Sequence, residues 1–198
     1  SKEKWAPYII HRYKFHYYEN NTEMPDFPLY LILEPVSSCN LRCPFCMQSD
    51  EKFTSNKDMM GMMELELFKK IIDEAYELGT KAITLTGRGE PTLNPHIEEM
   101  LEYCSGKFIE IKMNTNATVL NERMCHKILK SGLTDLVFSV DSYYKEEFES
   151  LRVNANFEKV VSNVKKFKEI KEEFYPNSSC VTRASGVQVS DKQNLEKF

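Results

Sequence analysis

No run of apolar residues in this 198-residue chain approaches the ~20 needed to cross a bilayer, and the opening "SKEKWAPYII" lacks the long apolar centre of a signal peptide. Positive charge is not in excess either. Against 30 Asp and Glu there are 26 Lys and Arg, a formal charge of -4, which argues against the broad basic surface that nucleic acid or an anionic membrane requires. Both absences point to a cytoplasmic chain whose partners are small molecules or proteins. Repeats, low-complexity tracts and Gly/Ser-rich linkers are also missing, so no domain boundary is expected after about residue 28. Cysteines at sensible disulfide spacing are lacking too. Cys39, Cys43 and Cys46 crowd together, whereas Cys104, Cys125 and Cys180 stand singly and read as small hydrophobes.

With 41% hydrophobic and 12% aromatic residues, the chain can bury the core of one domain. Residues 1–28 read as an N-terminal extension: "HRYKFHYYENNTEMPDFP" is aromatic, polar and punctuated by proline, consistent with irregular chain or a short helix packed on the body. From residue 29 to 198, β-rich runs alternate with helical patterns, the signature of βα units around a parallel sheet. The strands read are 29–36, 82–87, 108–114, 136–141 and 180–189. The first helix carries Leu65, Phe68, Ile72, Ala75 and Leu78 at helical spacing and stops at Gly79. A second is expected to start with Asn94 as N-cap and Pro95 in its first turn. A third spans about 121–132, and a fourth carries Phe157, Val160, Val161, Val164, Phe167 and Ile170 on one stripe. The fold class is α/β, either doubly wound or a partial TIM-like (βα) barrel; in both, the carboxyl ends of the strands form the functional face.

The residues with unusual chemistry fall at those ends. After the first strand, "EPVSSCNLRCPFCMQS" places Cys39, Cys43 and Cys46 together with no fourth cysteine nearby. One reading is a non-enzymatic zinc-binding interaction module, completed by His96 or His126. The other is a 4Fe-4S cluster held by three thiolates, which leaves one iron open to a chelating cofactor. After the second strand comes "TGRGEPTLNP". There Gly89 permits close backbone approach, Glu90 offers a carboxylate to an ammonium group, and Pro91 fixes the turn. The third strand ends in "NTNAT", the fourth in "SVDSYY", and the fifth carries Arg183, whose guanidinium fork suits a carboxylate.

The cysteine triplet, with Phe45 directly before Cys46, resembles the radical S-adenosylmethionine (radical SAM) superfamily, and "GRGEP" resembles that family's "GGEP" segment. The resemblance implies a 4Fe-4S cluster on Cys39, Cys43 and Cys46. It implies SAM chelated to the open iron and positioned by Phe45, Gly89, Glu90, Asn116, Ser139, Asp141 and Arg183. The implied reaction is reductive cleavage of SAM to a 5'-deoxyadenosyl radical, which abstracts hydrogen from a small-molecule or peptide substrate. A one-electron reductant protein would be a partner. Arg88 stands where the family has its first glycine. Many relatives with these motifs continue into a cysteine-rich, SPASM-like domain that binds auxiliary clusters. Here the chain stops as the unit after the fifth strand begins, so the barrel is read as C-terminally incomplete, with an uncovered edge at that strand, and the alternative reading is a cluster-binding fragment that is catalytically incomplete by itself.

Overall fold

The computed structural model describes residues 2–191 and residue 193. Five strands form one wholly parallel sheet in sequential order: β1 (Tyr30–Leu33), β2 (Ala82–Leu85), β3 (Glu110–Thr115), β4 (Asp135–Ser139) and β5 (Val181–Ser185). A doubly wound sheet reverses its order at a switch point. This one never does, and it is the arc of a partial TIM-like barrel, with β1 and β5 as its edges. Every residue of β5 is exposed.

Helix α1 (Lys2–Asn20) precedes the sheet, and α2 (Glu51–Thr54) follows the cysteine loop. The crossovers are α3 (Leu65–Glu77), α4 (Ile97–Cys104), α5 (Glu122–Lys130), the short α6 (Lys145–Leu151), and α7 (Phe157–Phe174). Side chains alternate across the strands. Leu33, Ile83, Leu85, Ile111, Met113, Leu136 and Phe138 join Phe68, Ile72, Met100, Leu101, Ile128 and Phe167 in the core beneath the helices. The opposite, concave face is more polar. Tyr30, Thr84, Glu110, Lys112, Asp135 and Arg183 border a cavity of about 700 Å³ there, together with Tyr8, His11, Arg12 and Phe15 of α1. The helix also meets Ile109, Thr134 and Ser179, which lead into β3, β4 and β5. This puts α1 at the amino end of the sheet, away from the functional rim.

Three local expectations are corrected. The N-terminal extension is neither irregular nor short but a 19-residue helix. Its periodicity is hidden because Trp5, Ile9, Ile10 and Tyr13 all stay exposed, so the apolar residues form no buried stripe. The strands are shorter than the apolar runs containing them: β1 ends at Leu33 and β5 at Ser185, because the residues beyond leave the ladder to build loops. Asn94 does not cap α4, which starts at Ile97 after His96. Its side chain instead bridges loops, with Nδ2 donating to Pro35 O at 2.7 Å and Oδ1 accepting from His96 N at 2.8 Å. No helix among the described residues is long and apolar enough to cross a membrane.

Candidate functional site

The cysteine loop leaves the carboxyl end of β1 and is held by its own backbone. Cys46 N donates to Cys43 O at 2.9 Å and Ser49 N to Cys46 O at 3.0 Å, closing two successive turns. Leu41, almost fully buried, anchors the loop in the protein. Arg42 clamps it by donating from Nη1 to Cys39 O at 2.7 Å and to Leu41 O at 2.8 Å. Cys43 is buried, Cys39 and Cys46 are half-buried, and Phe45 between them is exposed. Burial pushes the Cys39 thiol up, and N–H donation from Leu41 to its sulfur, at 3.4 Å, partly offsets this. Burial pushes Cys43 up to about 11, against the pull of the Arg152 charge. Both are therefore protonated as free thiols at neutral pH, and only an adjacent metal charge would turn them into thiolate ligands.

The "GRGEP" loop lies directly on this loop. A Cβ at Gly89 would overlap the carbonyl oxygens of Val36 and Ser38, so glycine is required by close approach. Glu90 N donates to Ser38 O at 3.0 Å. Arg88 needs no left-handed backbone, since positive φ is confined to other residues. Its guanidinium spans Glu34, with Nη2 to Oε1 at 2.6 Å and Nε to Oε2 at 3.0 Å. Burial pushes the Glu34 carboxyl up, but the side-chain and backbone donors of Arg88 outweigh this and hold it below the usual value. Gln48, buried, stitches the two loops by donating to Ser37 O at 2.6 Å and Arg88 O at 2.9 Å.

Glu90 is 3% exposed. Its Oε1 accepts from Thr92 N at 3.1 Å, Thr92 Oγ1 at 2.5 Å and Thr115 Oγ1 at 2.7 Å, and its Oε2 from Asn116 N at 2.7 Å. A carboxylate has about four acceptor positions, two on each oxygen; here three donors crowd Oε1 and one reaches Oε2. Burial pushes its pKa up, opposed by those donors. Asn116 is buried at the end of β3 and donates to Asn40 Oδ1 at 2.9 Å and toward Cys39 Sγ at 3.8 Å. Asp141, fully buried, faces Arg152 Nε at 2.6 Å and accepts from Val187 N at 2.8 Å.

The expected residues thus separate into groups. Cys39, Cys43, Phe45, Cys46, Gly89, Glu90 and Asn116 meet where the first three strands end. Ser139 ends β4 and is partly exposed. Glu90, Asn116 and Asp141 spend their polar atoms holding loops. Arg183 stands apart, midway along β5, with Nη2 3.0 Å from Asp135 Oδ1. Asn40, Gln48 and Arg152 were missed by sequence reasoning. Asn40 sits inside the cysteine motif, exposed, and its amide meets Asn116 and Thr118; Arg152 closes α6 and gives no local signal. Neither histidine proposed for a zinc site joins the thiols. His126 Nδ1 meets the Tyr175 hydroxyl at 2.9 Å and His96 lies beside Glu99. Among the described residues no three His, Cys, Asp or Glu side chains gather as a single-ion site, and the zinc module is not favoured.

Comparison with known proteins agrees with this geometry. Residues 33–185 match the Radical SAM superfamily. The tungsten-containing aldehyde ferredoxin oxidoreductase cofactor-modifying protein of Pyrococcus furiosus is 34% identical over 113 residues, covering 57% of this chain and 30% of that protein. GTP 3',8-cyclase of Desulforamulus reducens is 29% identical over 161 residues, covering 80% of this chain and 47% of that protein. The chain thus spans less than half the length of these relatives. The crystal structure of Streptococcus suis SuiB bound to S-adenosylmethionine superposes with a TM-score of 0.65 at 23% identity, over 84% of this chain and 36% of that one. The chain belongs to the radical SAM superfamily, whose enzymes use a 4Fe-4S cluster and S-adenosylmethionine.

Proposed function

We propose that Cys39, Cys43 and Cys46 hold a 4Fe-4S cluster, that SAM binds beside it, and that the protein initiates radical chemistry by hydrogen abstraction from its substrate. The observation that carries this reading is the cysteine loop itself: three thiols at the carboxyl end of β1, clamped by Arg42, with N–H donors aimed at the Cys39 sulfur. Hydrogen bonds of this kind suit a ligating thiolate. A cubane places each thiolate on a different iron, so the sulfurs need not converge on one point. When bound, the cluster and SAM supply the electron and the 5'-deoxyadenosyl radical, chemistry that belongs to the cofactors.

The chain's own work is orientation. Gly89 lets the β2 loop close on the cysteine loop, and Phe45, Gly89 and Ser139 retain the exposure needed to line a SAM site. Glu90, Asn116 and Asp141 fix the backbone that carries them, while Arg183 lies down the concave face toward α1, paired with Asp135. A one-electron reductant protein would reach the cluster from the exposed side of the loop at Met47. The test is anaerobic reconstitution followed by dithionite and SAM. About four irons per chain, a broad absorption near 400 nm, and formation of 5'-deoxyadenosine and methionine are expected. Stoichiometric, tightly held zinc, or an iron-loaded protein that makes no 5'-deoxyadenosine, would overturn the reading.

A further inference from the structure

The polar network behind Cys39 does more than close a loop. Asn116 lies between Thr118 and Asn40, which together determine which end of its amide faces the sulfur. Its Oδ1 accepts from Thr118 N at 3.0 Å and from Thr118 Oγ1 at 2.7 Å. A backbone N–H can only donate, so this end must be oxygen and the other must be the NH2 group. That NH2 group donates to Asn40 Oδ1 at 2.9 Å and points at Cys39 Sγ at 3.8 Å. Asn40 Nδ2 in turn donates to Thr118 Oγ1 at 2.7 Å, which closes a ring of three side chains.

The backbone is fixed equally firmly. Ala117 takes φ of 59°, the left-handed region that lets residues 116 and 118 converge. Asn163 Nδ2 braces that turn by donating to Ala117 O at 2.7 Å, and Glu90 Oε2 accepts Asn116 N at 2.7 Å. Both Asn116 and Thr118 are more than nine-tenths buried. An exposed asparagine could swing away from the sulfur; this one has its oxygen, its nitrogen and its backbone all committed. Two of the ring's three members, Asn116 and Thr118, are buried, and the second N–H of the Asn116 amide points at Cys39 Sγ.

We infer that Asn116 is a tuning residue for the cluster: its amide donates a hydrogen bond to the Cys39 sulfur and raises the reduction potential, with Asn40 and Thr118 holding the donor in place. The physical basis is charge. Reduction adds an electron to the cluster and its sulfurs, and a donor aimed at a ligating sulfur stabilises the more negative state. Cys39 receives a second donor from Leu41 N at 3.4 Å. Among the described residues no such N–H contact reaches the sulfur of Cys43 or Cys46, so the stabilisation is directed to one corner of the site. This inference rests on the cluster reading and adds to it.

The experiment is an EPR-monitored redox titration of anaerobically reconstituted wild type, Asn116→Ala and Asn116→Asp, without substrate. The midpoint should fall in Asn116→Ala, where the donor is lost, and fall further in Asn116→Asp, where an acceptor and a charge replace it. Iron content should stay at the wild-type level. Thr118→Val, which removes the hydroxyl shared by Asn116 Oδ1 and Asn40 Nδ2 but keeps the Thr118 N–H bond to that oxygen, loosens the donor, should give a smaller shift of the same sign, and serves if Asn116→Ala loads poorly. An unchanged midpoint in Asn116→Ala overturns the inference, and so does loss of the cluster in both Asn116→Ala and Thr118→Val, which would make the ring a folding element. A wild-type protein that binds no iron is a different failure and sinks the cluster reading itself.

Discussion

Arg152 Nε lies 2.6 Å from Asp141 Oδ2, and neither residue has appreciable access to solvent. This pair joins the end of α6 to the chain leaving β4. Through Val187 N, which donates to Asp141 Oδ1 at 2.8 Å, it also reaches the segment after β5. Arg152 sits close enough to Cys43 for its charge to pull that thiol down. One buried ion pair therefore serves both the packing of the last crossover and the electrostatics of the cysteine loop.

Removing one partner should be costly because the other stays behind as an uncompensated buried charge. Arg152→Met is expected to lower unfolding stability by about 3–5 kcal/mol. The double variant Arg152→Met with Asp141→Asn should recover part of that loss, because the stranded carboxylate is gone. Urea unfolding of the four proteins of the cycle measures both quantities. A loss of less than about 1 kcal/mol in Arg152→Met would show that water reaches the pair.

The free thiols offer a pH test. Cys43, with its pKa pushed up to about 11, is almost wholly protonated near neutrality, and the thiolate is the reactive form. In cluster-free protein at about pH 8, iodoacetamide should label the half-exposed Cys46 before Cys43. Labelling of Cys43 should then rise about tenfold per pH unit until its pKa is reached. In Arg152→Met it should slow further, since the cation that favours the thiolate is gone. Equal rates at Cys43 and Cys46, read by peptide mass spectrometry, would mean that burial of Cys43 is not maintained in solution.

The sheet and its crossovers were legible in the sequence because their signals are periodic. Leu65, Phe68, Ile72 and Ala75 announce α3, and α5 begins where expected, at Glu122 behind Asn121, whose side chain accepts from Met124 N. The cysteine loop was legible because three thiols at that spacing have few other uses. What stayed hidden depends on contacts across the chain. The donors that hold Glu90 in place, from Thr92, Thr115 and Asn116, come from three separate points of the chain and leave no local pattern. The partner of Asp141, Arg152, lies eleven residues on at the end of α6 and is equally invisible to local pattern. The choice between barrel and doubly wound sheet turned on strand order, which no local pattern encodes.

Arg88 tests whether the departure from the family's glycine matters. Its backbone is not left-handed, so glycine there gains no conformational relief and Arg88→Gly simply removes the fork on Glu34. Solvent screens this exposed pair, so its contribution is small. The pH dependence has a definite sign. Glu34 titrates below its ordinary value of 4.5 when folded, so the pair's contribution is complete above that value and is lost as pH falls through the lower, folded pKa. The urea midpoints of wild type and Arg88→Gly should differ at pH 7 and converge in acid. A difference that persists once Glu34 is protonated would mean that packing of Arg88 over Phe53, 5.7 Å from its ring centre, carries the effect.

Gly89 joins the fold to the proposed chemistry most directly. The added methyl of Gly89→Ala would overlap the carbonyl oxygens of Val36 and Ser38. These are backbone atoms that cannot rotate away, so the β2 loop must retreat from the cysteine loop. Retreat would also stretch the bond from Glu90 N to Ser38 O, now 3.0 Å, and with it the placement of Cys39 one residue on. Helices and sheet lie outside this contact, so far-UV circular dichroism should be unchanged while iron uptake on reconstitution falls well below the wild-type level. Gly61→Ala is the control, because a methyl there meets nothing within 4 Å and should leave uptake intact. Full iron loading of Gly89→Ala would show that the two loops can separate without disturbing the thiols, and the close approach at Gly89 would then have no part in holding the cluster.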